Sequence, residues 1–238
     1  MSIIFPKFSV IIPILNESKN LEKLTNEISK YLKKVSYEII FVDDNSSDNT
    51  SSVIKKIQKH NKHVKYYIRK NNPDLSLSCI LGFKKAMFKN IIVMDGDLQH
   101  DPKYLIKMIK LYVKEDLDFV IGARDFTKKT IKGLSVIRFI ASKILINVFF
   151  LFVGKKTIDP MSGFFIFKKN IYKQYQNRLF ARGYKILPDL IYVSKGNLKI
   201  NDFIIKLNYR KKGKSKMNFK VLLNIIIFIG YNFIRKFI

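Results

Sequence analysis

Glu38-Ile39-Ile40-Phe41-Val42-Asp43-Asp44-Asn45-Ser46-Ser47-Asp48-Asn49-Thr50 is the stretch that decides the fold. A short apolar, β-branched run ends abruptly on two carboxylates and a polar turn. About fifty residues later the pattern returns, with Ile91-Ile92-Val93-Met94 leading into Asp95-Gly96-Asp97-Leu98-Gln99-His100-Asp101-Pro102. Short uninterrupted apolar runs suit strands covered on both faces. Open α/β sheets bind their ligands just beyond the C-terminal ends of such strands. Acidic residues are scarce here: 45 Lys and Arg stand against 18 Asp and Glu, a formal net charge of +27. Gathering them at two strand ends therefore points to a function. Asp-x-Asp offers oxygen ligands to a hard divalent cation, which in turn can hold a substrate's phosphates.

Working outward, the chain alternates strands and helices. Ser9–Leu15 reads as a first strand, and Asn16-Glu17-Ser18 begins a helix running to about Lys34. Strand two is Glu38–Val42, and Asp48-Asn49-Thr50 caps a helix to about His60. Strand three is Val64–Ile68, followed by a helix over Leu75–Lys89. Strand four is Ile91–Met94. Asp101-Pro102 opens a further helix, with Pro at its favoured first-turn position. Strand five is Phe119–Gly122. This spacing predicts βαβ units and a mainly parallel sheet. No G-x-G-x-x-G follows the first strand and no P-loop occurs, which argues against a dinucleotide dehydrogenase and a P-loop NTPase.

The second half reads differently. Gly133–Gly154 is a long helical stretch, strongly apolar at Val148–Val153. Asp159-Pro160-Met161-Ser162-Gly163-Phe164-Phe165 is a turn entering a strand. A helix near Leu187–Lys195 and a strand near Ile200–Leu207 follow, and then a basic loop, Tyr209-Arg210-Lys211-Lys212-Gly213-Lys214-Ser215-Lys216. The apolar tail Val221–Ile234 would extend roughly 21 Å as a helix at about 1.5 Å per residue. That is short of a hydrocarbon core of about 30 Å. The tail is expected to lie in a membrane interface or to be partly embedded rather than to cross the membrane, and the 134–153 helix is a second interfacial candidate.

Composition sets further bounds. A chain of 238 residues suffices for one sizeable α/β domain. Its single cysteine, Cys79, excludes an intrachain disulfide and reads as a core residue. Met1–Lys7 carries no secretory signal pattern, so a cytoplasmic location is expected. The basic balance suggests an anionic partner: nucleic acid, a membrane surface or phosphorylated substrates. It also agrees with the general enrichment in Lys, Ile and Asn, which a compositional bias alone would produce.

Taken in order, these motifs resemble family 2 glycosyltransferases of the nucleotide-diphospho-sugar (GT-A) fold, within them the polyprenyl-phosphate or dolichol-phosphate mannosyltransferase group. The resemblance covers roughly residues 8–217 and rests on S-V-I-I-P-I-L-N-E (9–17), E-I-I-F-V-D-D-N-S-S-D-N-T (38–50), L-S-L-S-C-I-L-G-F (75–83), M-D-G-D-L-Q-H-D-P (94–102), G-A-R (122–124), D-P-M-S-G-F-F (159–165) and Y-R-K-K-G-K-S-K (209–216). It implies an α/β catalytic domain at 1–217 and an apolar membrane-associating helix at 218–238. It also implies inverting, metal-dependent transfer of a hexose, with mannose from GDP-mannose as the leading expectation, to a polyprenyl or dolichyl phosphate. By position, Pro13, Leu15, Glu17, Val42 and Asp44 would hold the nucleoside, while Asp95, Gly96 and Asp97 would lie along the sugar diphosphate. Asp97 and Gln99 would ligate Mg2+ or Mn2+. Arg124, Arg210 and Lys216 would bind phosphates, and Arg138 and Ser142 would receive the lipid phosphate. Asp97, Arg124 and Arg138 are the catalytic candidates. Asp74 stands where relatives often have Gly. The strongly apolar pairs of transmembrane helices found in some relatives are absent from the sequence.

The implied partners are a nucleotide sugar, a polyprenyl phosphate lipid, an anionic membrane surface at the cytoplasmic face and a membrane protein. Nucleic acid is not expected. The chemistry is consistent with these residue types. A departing nucleoside diphosphate develops negative charge that a divalent cation stabilises. An ionised lipid phosphate attacks without a general base, and Arg138 and Ser142 share a helical face on which Arg gives bidentate contacts. Two alternatives differ in substrate: UDP-glucose as donor, or a sugar hydroxyl as acceptor in glycolipid or polysaccharide synthesis. The latter needs a base, for which Asp159 is the candidate. A basic nucleic-acid module explains the charge but not the two acidic strand ends, which would repel a phosphate backbone.

Overall fold

The computed structural model describes residues 5–124, 150, 156–183, 186–194 and 197–208. Nearly all of the expected 133–154 helix, the basic loop 209–216 and the tail 218–238 lie outside these residues. So do Arg138, Ser142, Arg210 and Lys216.

Seven strands form one sheet. They are β1 (Phe8–Ile14), β2 (Tyr37–Asp43), β3 (Val64–Ile68), β4 (Asn90–Val93), β5 (Phe119–Arg124), β6 (Phe165–Lys168) and β7 (Ile200–Ile205). Their spatial order is β3-β2-β1-β4-β6-β5-β7. The pairings β1/β2, β2/β3, β1/β4 and β5/β7 are parallel. Strand β6 runs antiparallel to both neighbours, β4 and β5. The expected mainly parallel sheet is therefore present, with one reversed strand inserted in it. From β1 the chain winds outward through β2 and β3, then returns to place β4 on the other side of β1. Such a reversal opens a crevice beyond the strand ends, where ligands bind.

Helices cover both faces: α1 (Ser18–Tyr31), α2 (Thr50–His60), α3 (Leu75–Lys85), α4 (Leu105–Lys114), α5 (Lys169–Tyr175) and α6 (Ile186–Val193). Side chains alternate between faces along a strand, and the core divides accordingly. Phe8, Val10 and Ile12 of β1 pack with Leu21, Leu24, Ile54 and Met108 from α1, α2 and α4. Ile11, Ile40 and Val42 pack on the other face with Cys79, Phe83, Tyr172 and Leu190 from α3, α5 and α6. Because both faces are buried, every residue of β1 and β2 is buried. This is why their sequences read as unbroken apolar runs.

One helix is shorter than its sequence predicts. The pattern extends α3 to Lys89, but the helix ends at Lys85, and Ala86 is extended. The cause is non-local: the Met87 amide donates to Glu38 Oε1 at 2.7 Å, and the Phe88 amide donates to Ser9 Oγ at 3.1 Å. Helix α5 and the antiparallel direction of β6 were not legible in the sequence.

Candidate active site

The loops after β1 and β2 are fastened to each other. Asn16 and Asn45 both adopt left-handed backbone conformations (φ 55° and 66°), which Asn tolerates better than most residues. Asn16 Oδ1 accepts from the Ser47 amide at 2.8 Å, and the Asn16 amide donates to Ser46 Oγ at 2.8 Å. Asp48 accepts from the amides of Ser18 and Thr50 at 3.2 and 3.0 Å. These bonds satisfy backbone donors at the starts of α1 and α2 that would otherwise lack partners. Asp43 is structural too: it accepts from the Ser46 amide at 2.9 Å and from the Tyr66 hydroxyl at 2.7 Å.

Asp44 lies deeper in the crevice, nearly buried. Its carboxylate is paired with Arg69, just beyond β3, and accepts from the Asp74 amide at 2.5 Å. Burial pushes the Asp44 carboxyl up, outweighing the Arg69 charge and the hydrogen bonds that act downward. Asp74 fastens the next element. It caps α3 by accepting from the Leu77 amide at 3.0 Å, and its other oxygen accepts from the Gly183 amide at 2.6 Å. Asp189 in α6 holds the same loop through the Phe180 and Ala181 amides at 3.1 and 2.9 Å.

On the far side of β1 sits the Asp95-Gly96-Asp97 loop. A Cβ on Gly96 would lie 2.8 Å from a methyl of Ile14 and 3.7 Å from Glu17 Cγ. Only glycine lets this loop approach the end of β1, and the approach brings Glu17 beside the diacid. Glu17 is buried and accepts from Asn20 Nδ2 at 2.8 Å. Leu98 takes a left-handed conformation (φ 63°), and the Gln99 amide donates to Asp97 Oδ1 at 3.0 Å. The Asn208 amide, just after β7, donates to the Gln99 carbonyl at 2.9 Å. The Asp95 side chain is 38% exposed, and its Oδ2 lies 3.5 Å from His100 Nδ1. The His100 ring packs against Phe164, with centroids 5.3 Å apart.

Arg124, at the end of β5, meets Asp159 in a two-pronged pair: Nε to Oδ2 at 2.7 Å and Nη2 to Oδ1 at 2.8 Å. The Arg124 amide also donates to Asp159 Oδ2 at 3.1 Å. Asp159 is fully buried. Burial works against the Arg124 charge, but the Asp159 bonds and the charges of Asp159 and Asp95 outweigh it and raise its pKa. Ser162 stitches the same turn to β5 through the Gly122 carbonyl at 2.7 Å. Gly163 passes directly under Asp95, and a Cβ there would meet Asp95 Oδ2 at 2.7 Å.

The structure therefore brings Leu15, Glu17, Asp44, Asp95, Gly96, Asp97, Gln99 and Arg124 to the ends of β1, β2, β4 and β5. Pro13 and Val42 are buried one residue before the ends of β1 and β2, paired in register. Among the described residues no group of three or more His, Cys, Asp or Glu side chains could hold a metal ion. Asp97 and Gln99 are a two-oxygen set that suits a hard cation completed by substrate oxygens. Sequence reading missed Arg69 and the fastening roles of Asp74, Asp189 and Asn208. A charge placed immediately after a strand was the available signal for Arg69.

This arrangement has the architecture of GT-A nucleotide-sugar transferases. The fold matches that of glucosyl-3-phosphoglycerate synthase from Mycobacterium tuberculosis in complex with Mn2+, UDP-glucose and phosphoglyceric acid. The TM-score is 0.69 at 16% identity, covering 94% of this chain and 80% of that one. The same enzyme with Mg2+ and UDP matches at TM-score 0.67 and 18% identity, covering 87% and 73%. Residues 9–176 match the family described as Glycosyl transferase family 2, and the chain belongs to that family. It is 33% identical over 223 residues to a dolichol-phosphate mannosyltransferase of Pyrococcus furiosus, covering 91% of this chain and 60% of that protein. It is 30% identical to one from Mycosarcoma maydis, covering 91% and 76%. The chain thus spans three fifths of the first relative's length and three quarters of the second's.

Proposed function

We propose that this family 2 glycosyltransferase moves mannose from GDP-mannose to the phosphate of a polyprenyl or dolichyl lipid, with inversion at the anomeric carbon. An acceptor phosphate oxygen forms the new bond to that carbon. The bond to the donor diphosphate breaks, and its electron pair leaves with the nucleoside diphosphate. The state of Asp159 carries the acceptor class. This carboxylate, the candidate base for a hydroxyl acceptor, is buried and taken up by Arg124. A phosphate acceptor is already ionised and needs no such base. The names of the relatives support the same reading.

In this reading Pro13, Leu15, Glu17, Val42 and Asp44 line the nucleoside. Asp95, Gly96 and Asp97 follow the sugar diphosphate, and Arg124, Arg210 and Lys216 offset phosphate charge. Arg138 and Ser142 hold the acceptor phosphate. Asp97 and Gln99 hold Mg2+ or Mn2+, which neutralises charge on the leaving diphosphate. Among the described residues no helix is long and apolar enough to cross a membrane. The 134–153 segment and the tail at 218–238 are proposed to lie on the membrane surface.

The test incubates the protein and Mn2+ with radiolabelled GDP-mannose or UDP-glucose and dolichyl phosphate, and counts label extracted into organic solvent. Metal-dependent extraction from GDP-mannose is expected. Extraction only from UDP-glucose replaces the donor. Donor binding without extractable label replaces the acceptor with a hydroxyl.

A further inference from the structure

The turn at 157–164 touches both halves of the diphosphate site, since Asp159 takes the Arg124 fork and Gly163 underlies Asp95. Something must fix that turn, and it is a strand residue outside every motif singled out in the sequence. Asp202, in β7, accepts from Thr157 Oγ at 2.5 Å through one oxygen and from the Ile158 amide at 2.8 Å through the other. The Thr157 hydroxyl in turn accepts from the Asp159 amide at 3.2 Å. Thr157 is buried and Asp159 fully so. The path therefore runs from Asp202 through one hydroxyl and one amide to the carboxylate that orients Arg124.

Resting on the proposed function above, we infer that Asp202 and Thr157 are positioning residues that set the Arg124 guanidinium against the donor's diphosphate. Arg124 has five N–H donors in a rigid fork, and Asp159 takes two along one edge. Rotating Asp159 would swing the opposite edge of the fork. The direction of a bidentate donor matters as much as its presence, and small misplacements are costly in catalysis. The register of β7 against β5 supports the assignment. Asp202 is in parallel register with Ile121, and Ile205 with Arg124, so β7 lies alongside β5 up to the residue whose side chain it controls. An acidic residue inside a strand, as in Ile200-Asn201-Asp202-Phe203-Ile204-Ile205, is otherwise a costly choice.

The experiment measures binding of GDP and GMP, and of UDP and UMP, by calorimetry with Mn2+ present. The proteins are wild type, Thr157→Val, Thr157→Ser, Arg124→Gln and the Thr157→Val/Arg124→Gln double variant. Wild type is expected to prefer one nucleoside diphosphate to its monophosphate. Thr157→Val should lose roughly tenfold of that preference, leave monophosphate binding unchanged and be restored by Thr157→Ser. The double variant should lose no more than Arg124→Gln alone, since residues acting through one group are non-additive. If Thr157→Val is not folded by circular dichroism, Asp202→Asn takes its place in the cycle. Equal weakening of monophosphate and diphosphate, or additive losses, would mean a merely structural turn and overturn the inference. A wild type that binds no nucleoside diphosphate overturns the functional reading as well, an outcome visible before any variant is made.

Discussion

The ends of β2 and β4 carry the same residue type and use it differently. At β2 the carboxylates turn inward: Asp43 is taken by Ser46 and Tyr66, and Asp44 by Arg69 and Asp74. At β4 the Asp95 side chain is over a third exposed, and Asp97 shapes a loop whose backbone is held by Asn208, just after β7. An acidic strand end in the sequence thus covers two arrangements, carboxylates buried against loop and strand partners at β2 and a more open carboxylate at β4. Only the partners of each oxygen tell them apart.

Four substitutions break or sharpen that contrast. The largest effect is expected for Asp97→Ala, which should lower turnover by roughly 10²–10³-fold while leaving the melting temperature within a few degrees of wild type. Turnover within tenfold of wild type would place the two strand ends in the same class. Next is Gly163→Ala, whose methyl must displace Asp95. Transfer efficiency should fall roughly tenfold, and a normal rate in the steady-state assay would show that Asp95 need not sit where it does. Asp43→Ala should act the other way. Loss of its bonds to the Ser46 amide and the Tyr66 hydroxyl costs about 1 kcal/mol in urea unfolding, while the folded fraction keeps its rate within a few-fold.

The smallest effect concerns the opposite end of β2. Glu38 is desolvated, but its bonds to Lys65, Ser9 and Met87 prevail and hold its pKa below the ordinary 4.5. A depressed folded pKa contributes stability that is present above the unfolded value and lost as pH falls through the folded one. Unfolding free energy should therefore drop on acidification below pH 4.5 less steeply in Glu38→Gln than in wild type, as urea titrations at several pH values would show. Identical slopes would remove Glu38 from the fastening class.

The sequence made β1, β2 and β4 visible because strands buried on both faces leave apolar runs, and because each run stops at a polar turn. It could not place β6, since a four-residue apolar strand carries no mark of direction or of neighbours. The end of α3 was hidden for another reason. The helix pattern continues through Met87 and Phe88, and their amides are diverted by Glu38 and Ser9 from distant strands. Within the site, the Asp95-Gly96-Asp97 motif was readable as local chemistry. Gly163 beneath Asp95 and Asp202 behind Arg124 were not, because each acts on a partner more than sixty residues away in one case and through a turn in the other.

Asp74 has a consequence for motion rather than for chemistry. Its two carboxylate oxygens serve amides in different elements: Leu77 at the start of α3, three residues away, and Gly183, 109 residues away. Ser76 closes the link in reverse by donating its amide to the Gly183 carbonyl at 2.9 Å. Local opening proceeds in cooperative units rather than bond by bond. The first turn of α3 and the loop before α6 form one such unit, so their amides should exchange with deuterium in step, despite lying in opposite halves of the chain.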